Sequence, residues 1–300
     1  MSNYVAAYDL EAVYAWWEPP RSDADGYEAH VQYEGPRREE FLAGARAVAE
    51  AHLRAGTPAT FFIVAKLLDH CAAELREILD HPEFDLQCHS YTHPDLIDIS
   101  NDEQALRYEL IDAKKRIEDT FSRPVIGLTA PGGYTRGFCG QQRLLDMMAE
   151  AEYRYVRTFG AGPDQSVPAP LHQPFWYAED GHPNLLEIPS HAWHDNILTG
   201  QPGRVHWPPI LPWAYPTRMP TDAQGVYAAY APGIDYAAEQ NLLTYVPIFH
   251  PWSIYRISDR ASQIELLLDH AGQKQQIASC SQIYQHLCAH RHLAPAHPPQ

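Results

Sequence analysis

The stretch FDLQCHSYTH at residues 84–93 joins a short apolar strand candidate to two histidines that lie four residues apart. Two strand candidates precede it: YVAAY at residues 4–8, which ends at an acidic pair, and ATFFIV at residues 59–64. Apolar residues recur at helical spacing between them, at residues 38–54, and again at residues 69–79. Strands that alternate with helices in this way predict parallel βαβ units.

The same alternation continues towards the middle of the chain. A helix is predicted from a cap at Asn101 or Asp102 to about Phe121, followed by a strand at residues 125–129. We therefore expect an α/β fold with a parallel sheet. Closure of these strands into a barrel would place functional groups at the C-terminal ends of the strands.

Residues 163–235 depart from this pattern because they are rich in proline and contain four tryptophans. A disordered linker would lack the tryptophans. We expect a Pro/Trp-rich cap of ordered loops, with one strand at residues 184–188. The predicted organisation is one catalytic domain at residues 1–290, which includes this cap insertion, and a frayed tail at residues 291–300.

Charge and cysteine content restrict the classes of partner and compartment. The formal net charge of −16 disfavours binding to nucleic acid, because an acidic surface repels phosphates. The five cysteines include no CxxC pair, which argues against a disulfide framework and a zinc-thiolate site. Without a signal-peptide pattern or a membrane-length apolar stretch, we expect a cytoplasmic protein that acts on a small molecule, in no contact with membranes. The sequence does not decide whether it forms a homo-oligomer.

Two pairs of residues at predicted strand ends can do chemistry. His89 and His93, four residues apart, would share one face of a helical turn and could coordinate one metal ion. Asp9 and Glu11 would face the same side of an extended segment, so one can bind metal while the other serves as a base. Read alone, the histidines could equally belong to a capped turn and the acids to a solvated loop.

Six motifs in fixed order make a resemblance specific. They are FFIV at 61–64, CHSYTHPDL at 88–96, IEDTF at 117–121, TAPGGY at 129–134, LLEIP at 185–189 and FHPW at 249–252. Together they resemble the polysaccharide deacetylases, carbohydrate esterase family 4, from about residue 4 to about residue 288. The resemblance implies a distorted (β/α) barrel with fewer than eight strands.

The resemblance also implies roles for individual residues. Asp9 matches the family's catalytic base, and Glu11 matches the metal-binding acid of the branch that spaces its two acids as D-x-D. That branch resembles cytoplasmic and peptidoglycan-type deacetylases and metal-independent allantoinases. His89 and His93 match the metal histidines, and His250 matches the general acid. One divalent metal ion is implied, zinc first, with cobalt or nickel as alternatives.

One motif departs from the family pattern. Thr129 stands where the family has an arginine that holds the catalytic acid in place. Loss of that cation is expected to raise the pKa of Asp9 and loosen its orientation, unless Arg136 or Arg157 replaces it. The departure leaves open whether catalysis is retained, weakened or abolished.

Further residues are candidates for supporting roles. Backbone N–H groups near Gly132 and Gly133 could hold an oxyanion, because glycine permits close approach to the backbone. Asp195 is the candidate for orienting His250. Aromatic faces can stack on a flat substrate in the cleft. The candidates for this contact are Trp193, Tyr134 and Trp252, with Trp16, Trp17, Tyr91, Trp207 and Trp213 as further candidates.

Three functions follow from these residues. The leading one is metal-dependent hydrolysis of a non-peptide C–N bond, as N-deacetylation of a sugar or other small molecule. The second is metal-free opening of a cyclic amide or ureide, as in allantoinase-like enzymes. The third is a non-catalytic binding protein that keeps the fold, which the change at Thr129 would favour and retention of Asp9 and His250 opposes.

Overall fold

The structure is a computed structural model that describes residues 2–13, 33, 35–200 and 206–297. Trp16 and Trp17, considered above for the cleft, lie outside the described residues. Within the described ranges, no helix combines the length and the apolar character that crossing a membrane requires.

Twelve strands are found in the described part of the chain. They are β1 (Asn3–Val5), β2 (Ala7–Leu10), β3 (Ala59–Ile63), β4 (Phe84–Cys88), β5 (Gly127–Tyr134), β6 (Tyr155–Phe159), β7 (Phe175–Tyr177), β8 (His182–Glu187), β9 (His191–His194), β10 (Thr244–Tyr245), β11 (Pro247–Ile248) and β12 (Gln276–Ala278). The helices are α1 (Gly35–Ala55), α2 (Leu67–Leu79), α3 (Glu103–Arg107), α4 (Ala113–Phe121), α5 (Gln142–Glu150), α6 (Asp195–Gly200), α7 (Ala223–Glu239), α8 (Pro251–Ile257), α9 (Ser262–Gly272) and α10 (Cys280–Ala289). A π-helical turn at Tyr108–Asp112 joins α3 to α4.

The main sheet has seven strands in the order β2-β3-β4-β5-β6-β8-β7. Its neighbouring strands are parallel except for β7, which pairs antiparallel with β8. Helices separate the consecutive strands from β2 to β6, as expected for βαβ units. The predicted α/β class with a mostly parallel sheet is confirmed.

Backbone hydrogen bonds connect this sheet to the smaller one formed by β9 and β11. Ser190 N donates to Phe159 O at 2.7 Å, just before β9 begins. His191 N on β9 donates to Val246 O at 2.7 Å, and Asp9 N on β2 donates to Phe249 O at 2.9 Å. These bonds carry the strand order from β6 through β9 and β11 back to β2, so the strands follow a distorted ring.

An apolar layer supports the site from below. Residues two apart on a strand face the same side, so Ala7 lies on the side of β2 that carries Asp9. Ala7 and Phe62 belong to one buried cluster, which also includes Ile283 and Leu287 of α10. Helix α10 therefore closes the end of the ring that lies away from Asp9.

Residues 163–235 contain more regular structure than the sequence indicated. Strands β7, β8 and β9 in this segment belong to the main sheet and to the β9–β11 pair, and the segment ends within α7. The strand predicted at residues 184–188 is found as part of β8, whereas β7, β9 and α7 were not predicted. Pro232 lies inside α7, where a helix normally excludes proline, which explains why the composition suggested loops.

The C-terminal segment packs on the domain beyond residue 291. A 3₁₀ turn covers Arg291–Leu293, Ala294 is buried, and Pro295 O accepts a hydrogen bond from Trp176 N at 2.8 Å. The tail that was expected to fray from residue 291 is therefore held against β7 as far as Pro295.

Candidate active site

Polar and charged side chains meet in a cavity of about 170 Å³ at the C-terminal ends of the strands. Asp9 comes from β2, and Glu11 follows that strand directly. Among the residues singled out above, the cavity is lined by Asp9, Glu11, His89, His93, Gly132, Gly133 and His250. The predicted position of the site, at the C-terminal edge of the sheet, agrees with this arrangement.

Glu11, His89 and His93 converge on one point. The Oε2 atom of Glu11 lies 2.9 Å from Nε2 of His93 and 3.8 Å from Nε2 of His89. One ligand atom from each residue lies within 4.8 Å of the others. Two imidazole nitrogens with one carboxylate oxygen suit a divalent first-row metal and leave positions for water and substrate. The donor set therefore fits a metal ion.

The surroundings prepare these three groups for that role. The Nδ1 of His89 donates to Thr129 O at 3.0 Å, which leaves Nε2 as the ligand atom. Burial, together with His93, lowers the pKa of His89 to about 3, so its ring is neutral. Burial opposes ionisation of Glu11, but the rings of His93, His250 and His89 outweigh it and hold its pKa at about 2.

Arg157 on β6 supplies the cation beside Asp9. Its guanidinium donates to Oδ1 of Asp9 and, through its other terminal nitrogen, to Ser190 Oγ at 2.9 Å. Burial lowers the pKa of Arg157 to about 10, which still leaves it charged near neutral pH. Of the two candidates named to replace the family arginine, Arg157 is therefore the one that contacts Asp9. Arg136, the other candidate, is exposed.

His250 and Asp195 form a second buried pair. The Nδ1 of His250 lies 2.6 Å from Oδ1 of Asp195, and the His250 backbone N–H donates to the same oxygen at 3.1 Å. The free Nε2 lies 3.8 Å from Glu11 Oε1 and 4.0 Å from Asp9 Oδ2. Burial favours the neutral ring, but Asp195 and Glu11 outweigh it and raise the pKa of His250 above its usual value. Asp195 thus contacts His250 as the orienting role requires.

The segment between His89 and His93 is a loop and not the helical turn that their spacing suggested. Ser90 and His93 have positive φ angles of 61° and 65°, which a helical turn does not contain. The Ser90 side chain accepts from the His93 backbone N–H at 3.1 Å. The loop therefore brings the two imidazole rings together through its left-handed residues and the Ser90–His93 hydrogen bond.

Glu109 holds this loop from a neighbouring element, and sequence analysis did not single it out. Its buried carboxylate accepts from the backbone N–H groups of Tyr91 and Thr92, both at 2.8 Å, and from Thr92 Oγ1 at 2.5 Å. Glu109 lies in the π-helical turn, a feature that often occurs at functional sites. In the sequence, Glu109 is an acid directly beside the apolar position Leu110, and both side chains are buried in the structure.

The two cavity glycines adopt left-handed conformations near the end of β5. Gly132 has φ of 76° and Gly133 has φ of 66°. A Cβ atom on Gly133 would lie 2.7 Å from Cα of Gly160, whereas one on Gly132 would meet nothing within 4 Å. Gly133 is therefore required by close packing of β5 against the end of β6, as well as by its conformation.

The three aromatic residues predicted to contact substrate lie in the core, and none is among the described residues that line the cavity. Trp193 packs edge-on against Tyr215 at 5.1 Å. The hydroxyl of Tyr134 donates to Asp95 at 3.1 Å and so supports the chain after His93. Nε1 of Trp252 lies 3.4 Å from Oε1 of Glu11. Their contacts support neighbouring side chains.

A family model described as polysaccharide deacetylase matches residues 45–156, which include His89, His93, Glu109 and Thr129. Over these residues the chain is similar to the polysaccharide deacetylase family. The recognition made from the motifs is confirmed by this match. No curated protein matches the chain.

Solved structures share the fold over almost the whole chain. A Mycobacterium smegmatis protein assigned to the polysaccharide deacetylases is 17% identical, with a TM-score of 0.67 over 97% of this chain and 91% of that one. A Pseudomonas aeruginosa PAO1 protein with the same assignment is 14% identical, with a TM-score of 0.65 over 96% and 91%. The Puue allantoinase is 14% identical, with a TM-score of 0.63 over 96% and 90%. At these identities the likeness shows the fold.

Proposed function

We propose that the protein is a metal-dependent hydrolase that removes an N-acyl group, such as acetyl, from a sugar or another small molecule. The family match indicates a hydrolase of carbon–nitrogen bonds other than peptide bonds. The observation that carries the finer proposal is the presence of three groups in one cavity: the Glu11–His89–His93 donor set, the Asp9–Arg157 pair and the Asp195–His250 pair.

Glu11, His89 and His93 are the residues that would hold the metal, with zinc proposed first and cobalt or nickel as alternatives. A bound divalent metal lowers the pKa of water towards neutrality and polarises a carbonyl oxygen. The His89 contact with Thr129 O fixes the ring in the orientation that this binding needs.

Asp9 is proposed as the general base. Its Oδ1 is held by Arg157, which fixes the carboxylate, while Oδ2 lies on the side of His250. A base in this position takes a proton from water as the water attacks the acyl carbon. The backbone at Gly132 and Gly133 is proposed to donate N–H groups to the oxyanion that forms at the former carbonyl oxygen.

His250 is proposed as the general acid. Because Asp195 accepts from Nδ1, the proton that can be transferred lies on Nε2, which points towards the acids across the cavity. Its raised pKa favours the protonated ring, the form that can donate to the leaving amine as the C–N bond breaks. The two pairs thus place a base and an acid on different sides of the same cavity.

The first experiment is metal analysis by elemental mass spectrometry, combined with an acetate-release assay on N-acetylated sugars and small amides. The purified wild-type protein should contain about one equivalent of bound metal per chain. The double variant His89→Ala/His93→Ala should contain none. A matched control is His286→Ala/His290→Ala, which removes another histidine pair four residues apart, exposed at the C-terminal end of α10. Absence of metal in the wild type after reconstitution would instead favour the metal-free ureide hydrolase or the binding protein.

A second variant tests the assignment of Asp9 as the base. Asp9→Asn keeps the shape of the side chain and removes its ability to accept a proton, so hydrolysis should fall by about 10²-fold or more. Metal content should stay at the wild-type value. Undiminished hydrolysis by Asp9→Asn would show that the base has been assigned to the wrong residue.

A further inference from the structure

Asn196 is a buried polar residue of the cavity that the mechanism does not use. Its exposed fraction is 7%, and it follows Asp195 at the start of α6. Its Oδ1 atom has no hydrogen-bond partner among the described residues. A buried carbonyl oxygen without a partner is destabilising, so its retention in a cavity wall points to a ligand.

A second acceptor lies two residues earlier on the same wall. His194, half-buried at the end of β9, donates from Nε2 to Gly160 O at 2.8 Å. Burial lowers the pKa of its ring to about 4, so the ring is neutral at pH 7. In a neutral imidazole with the proton on Nε2, Nδ1 can only accept.

Other polar groups of this wall are already engaged. Ser190 Oγ accepts from Arg157, and Oε1 of Gln165 accepts from Thr135 N at 2.7 Å. The amide nitrogen of Gln165 is directed to Gly133 O at 3.4 Å. Compared with Ser190 and Gln165, the side chains of Asn196 and His194 therefore keep an acceptor for a ligand.

The position of Asn196 relates these acceptors to one part of the substrate. Asp195, its neighbour in the chain, fixes His250 through Nδ1. His250 is the proposed donor to the leaving amine, and Asn196 lines the same cavity as His250, which makes the leaving amine the part of the substrate for which these acceptors are candidates.

We propose that Asn196 and His194 form a subsite for the leaving amine, in which Oδ1 of Asn196 accepts a hydrogen bond from a hydroxyl or N–H group on that amine. The inference rests on the proposed amide hydrolysis and adds a substrate class to it. Amino-sugar amides, with a hydroxyl beside the nitrogen, and acylated ureas, with a second N–H, share the required donor. An amide of a purely hydrocarbon amine lacks it and leaves the buried oxygen without a partner.

The test compares the binding of three probes: N-cyclohexylacetamide, its trans-2-hydroxy derivative and N-acetylurea. The first two differ by one hydroxyl beside the nitrogen. Dissociation constants are measured by calorimetry on the metal-loaded Asp9→Asn protein, in which turnover does not interfere. The hydroxylated amide should bind about ten-fold more tightly than the hydrocarbon amide, which corresponds to one hydrogen bond.

Variants of Asn196 identify the group responsible. Asn196→Leu keeps the approximate shape and removes the acceptor, so the affinity ratio of the two amides should fall to about one. Asn196→Asp keeps an acceptor oxygen and should retain a preference for the hydroxylated amide. Asn184→Leu, an exposed site on β8, is the control and should leave the ratio unchanged.

The outcomes separate this inference from the proposed function. Equal affinities for the two cyclohexyl amides, no measurable binding of either, or a preference that survives in Asn196→Leu would overturn the subsite. Tighter binding of N-acetylurea than of the hydroxylated amide would support the subsite with N–H as its donor, and the reverse order would support it with hydroxyl. Hydrolysis of the same amides by the protein with Asp9 intact is scored separately, because its absence contradicts the proposed function and leaves the affinity ratios informative.

Discussion

Arg157 on β6 donates a hydrogen bond to Asp9 on β2, although these two strands are not neighbours in the sheet. Arg157 is the register partner of Thr129 on β5, the residue that replaces the family arginine. The cation therefore lies at the same level of the sheet, one strand away from its usual place. Because both side chains of the pair are buried, each depends on the other for compensation of its charge.

Replacement of Arg157 should therefore impair both folding and activity. In Arg157→Met the Asp9 carboxylate loses its partner, and we expect a loss of about 3 kcal/mol in the free energy of unfolding. Hydrolysis should fall by about 10²-fold, since the proposed base is no longer oriented. Arg157→Lys, which keeps a charge, should recover part of both quantities. Urea denaturation and kcat/KM check these values, with exposed Arg154→Met as a control that should resemble the wild type.

The role of Arg157 shows what the sequence could not reveal. The alternation of strands and helices, together with the HSYTH motif, predicted the parallel sheet and the residues that meet at its edge. These signals are local in the chain. The Asp9–Arg157 contact depends on which residues of β5 and β6 are paired, and on closure of the ring, which no local pattern encodes. Arg157 was therefore one of two candidates before the register was known.

The predictions for the aromatic residues and for α7 also failed because local sequence patterns do not encode tertiary packing. Trp193 and Trp252 were expected in the cleft because aromatic faces bind flat ligands, yet large aromatics beside a site more often fill its supporting core. Helix α7 was missed because Pro232 interrupts its pattern, while packing of the helix against β10 and α9 outweighs the poor local propensity. Tertiary packing decides such cases.

The two cavity glycines should respond differently to alanine. Both have positive φ angles, so each substitution carries a conformational cost of about 1–2 kcal/mol. Gly133→Ala also places a Cβ against Gly160 Cα, whereas Gly132→Ala meets open space. We therefore expect Gly133→Ala to unfold at a clearly lower urea concentration than Gly132→Ala. Equal midpoints for the two variants would argue against the close packing of β5 on Gly160.

His52 should make the protein less stable in mild acid. Its buried ring bonds Tyr8 OH through Nε2 at 2.7 Å and Thr57 Oγ1 through Nδ1 at 3.0 Å, and burial lowers its pKa to about 4. Because this value lies below that of the unfolded chain, the stability due to His52 is complete above about pH 6.5 and is lost as the pH falls towards 4.

A glutamine at position 52 removes this titration. Between pH 7 and pH 5, wild-type protein should lose about 2 kcal/mol more unfolding free energy than His52→Gln. Urea denaturation at the two pH values measures the difference. His292→Gln, at an exposed position, should keep the full wild-type dependence on pH. A pH dependence in His52→Gln equal to that of the wild type would assign the acid sensitivity to other groups.

Glu109 should determine how tightly the proposed metal site binds. Its carboxylate accepts two backbone N–H groups of the loop that joins His89 to His93, and this loop contains two positive φ angles that need external support. Glu109→Gln keeps the size but replaces one acceptor oxygen by a donor, so we expect metal affinity to fall by about 10–100-fold. Competition with a chelator measures the affinity, and the visible spectrum of the cobalt-loaded protein reports the ligand geometry. Glu103→Gln, an exposed acid on α3, is the matched control, and an unchanged affinity in Glu109→Gln would show that the loop holds its conformation without this carboxylate.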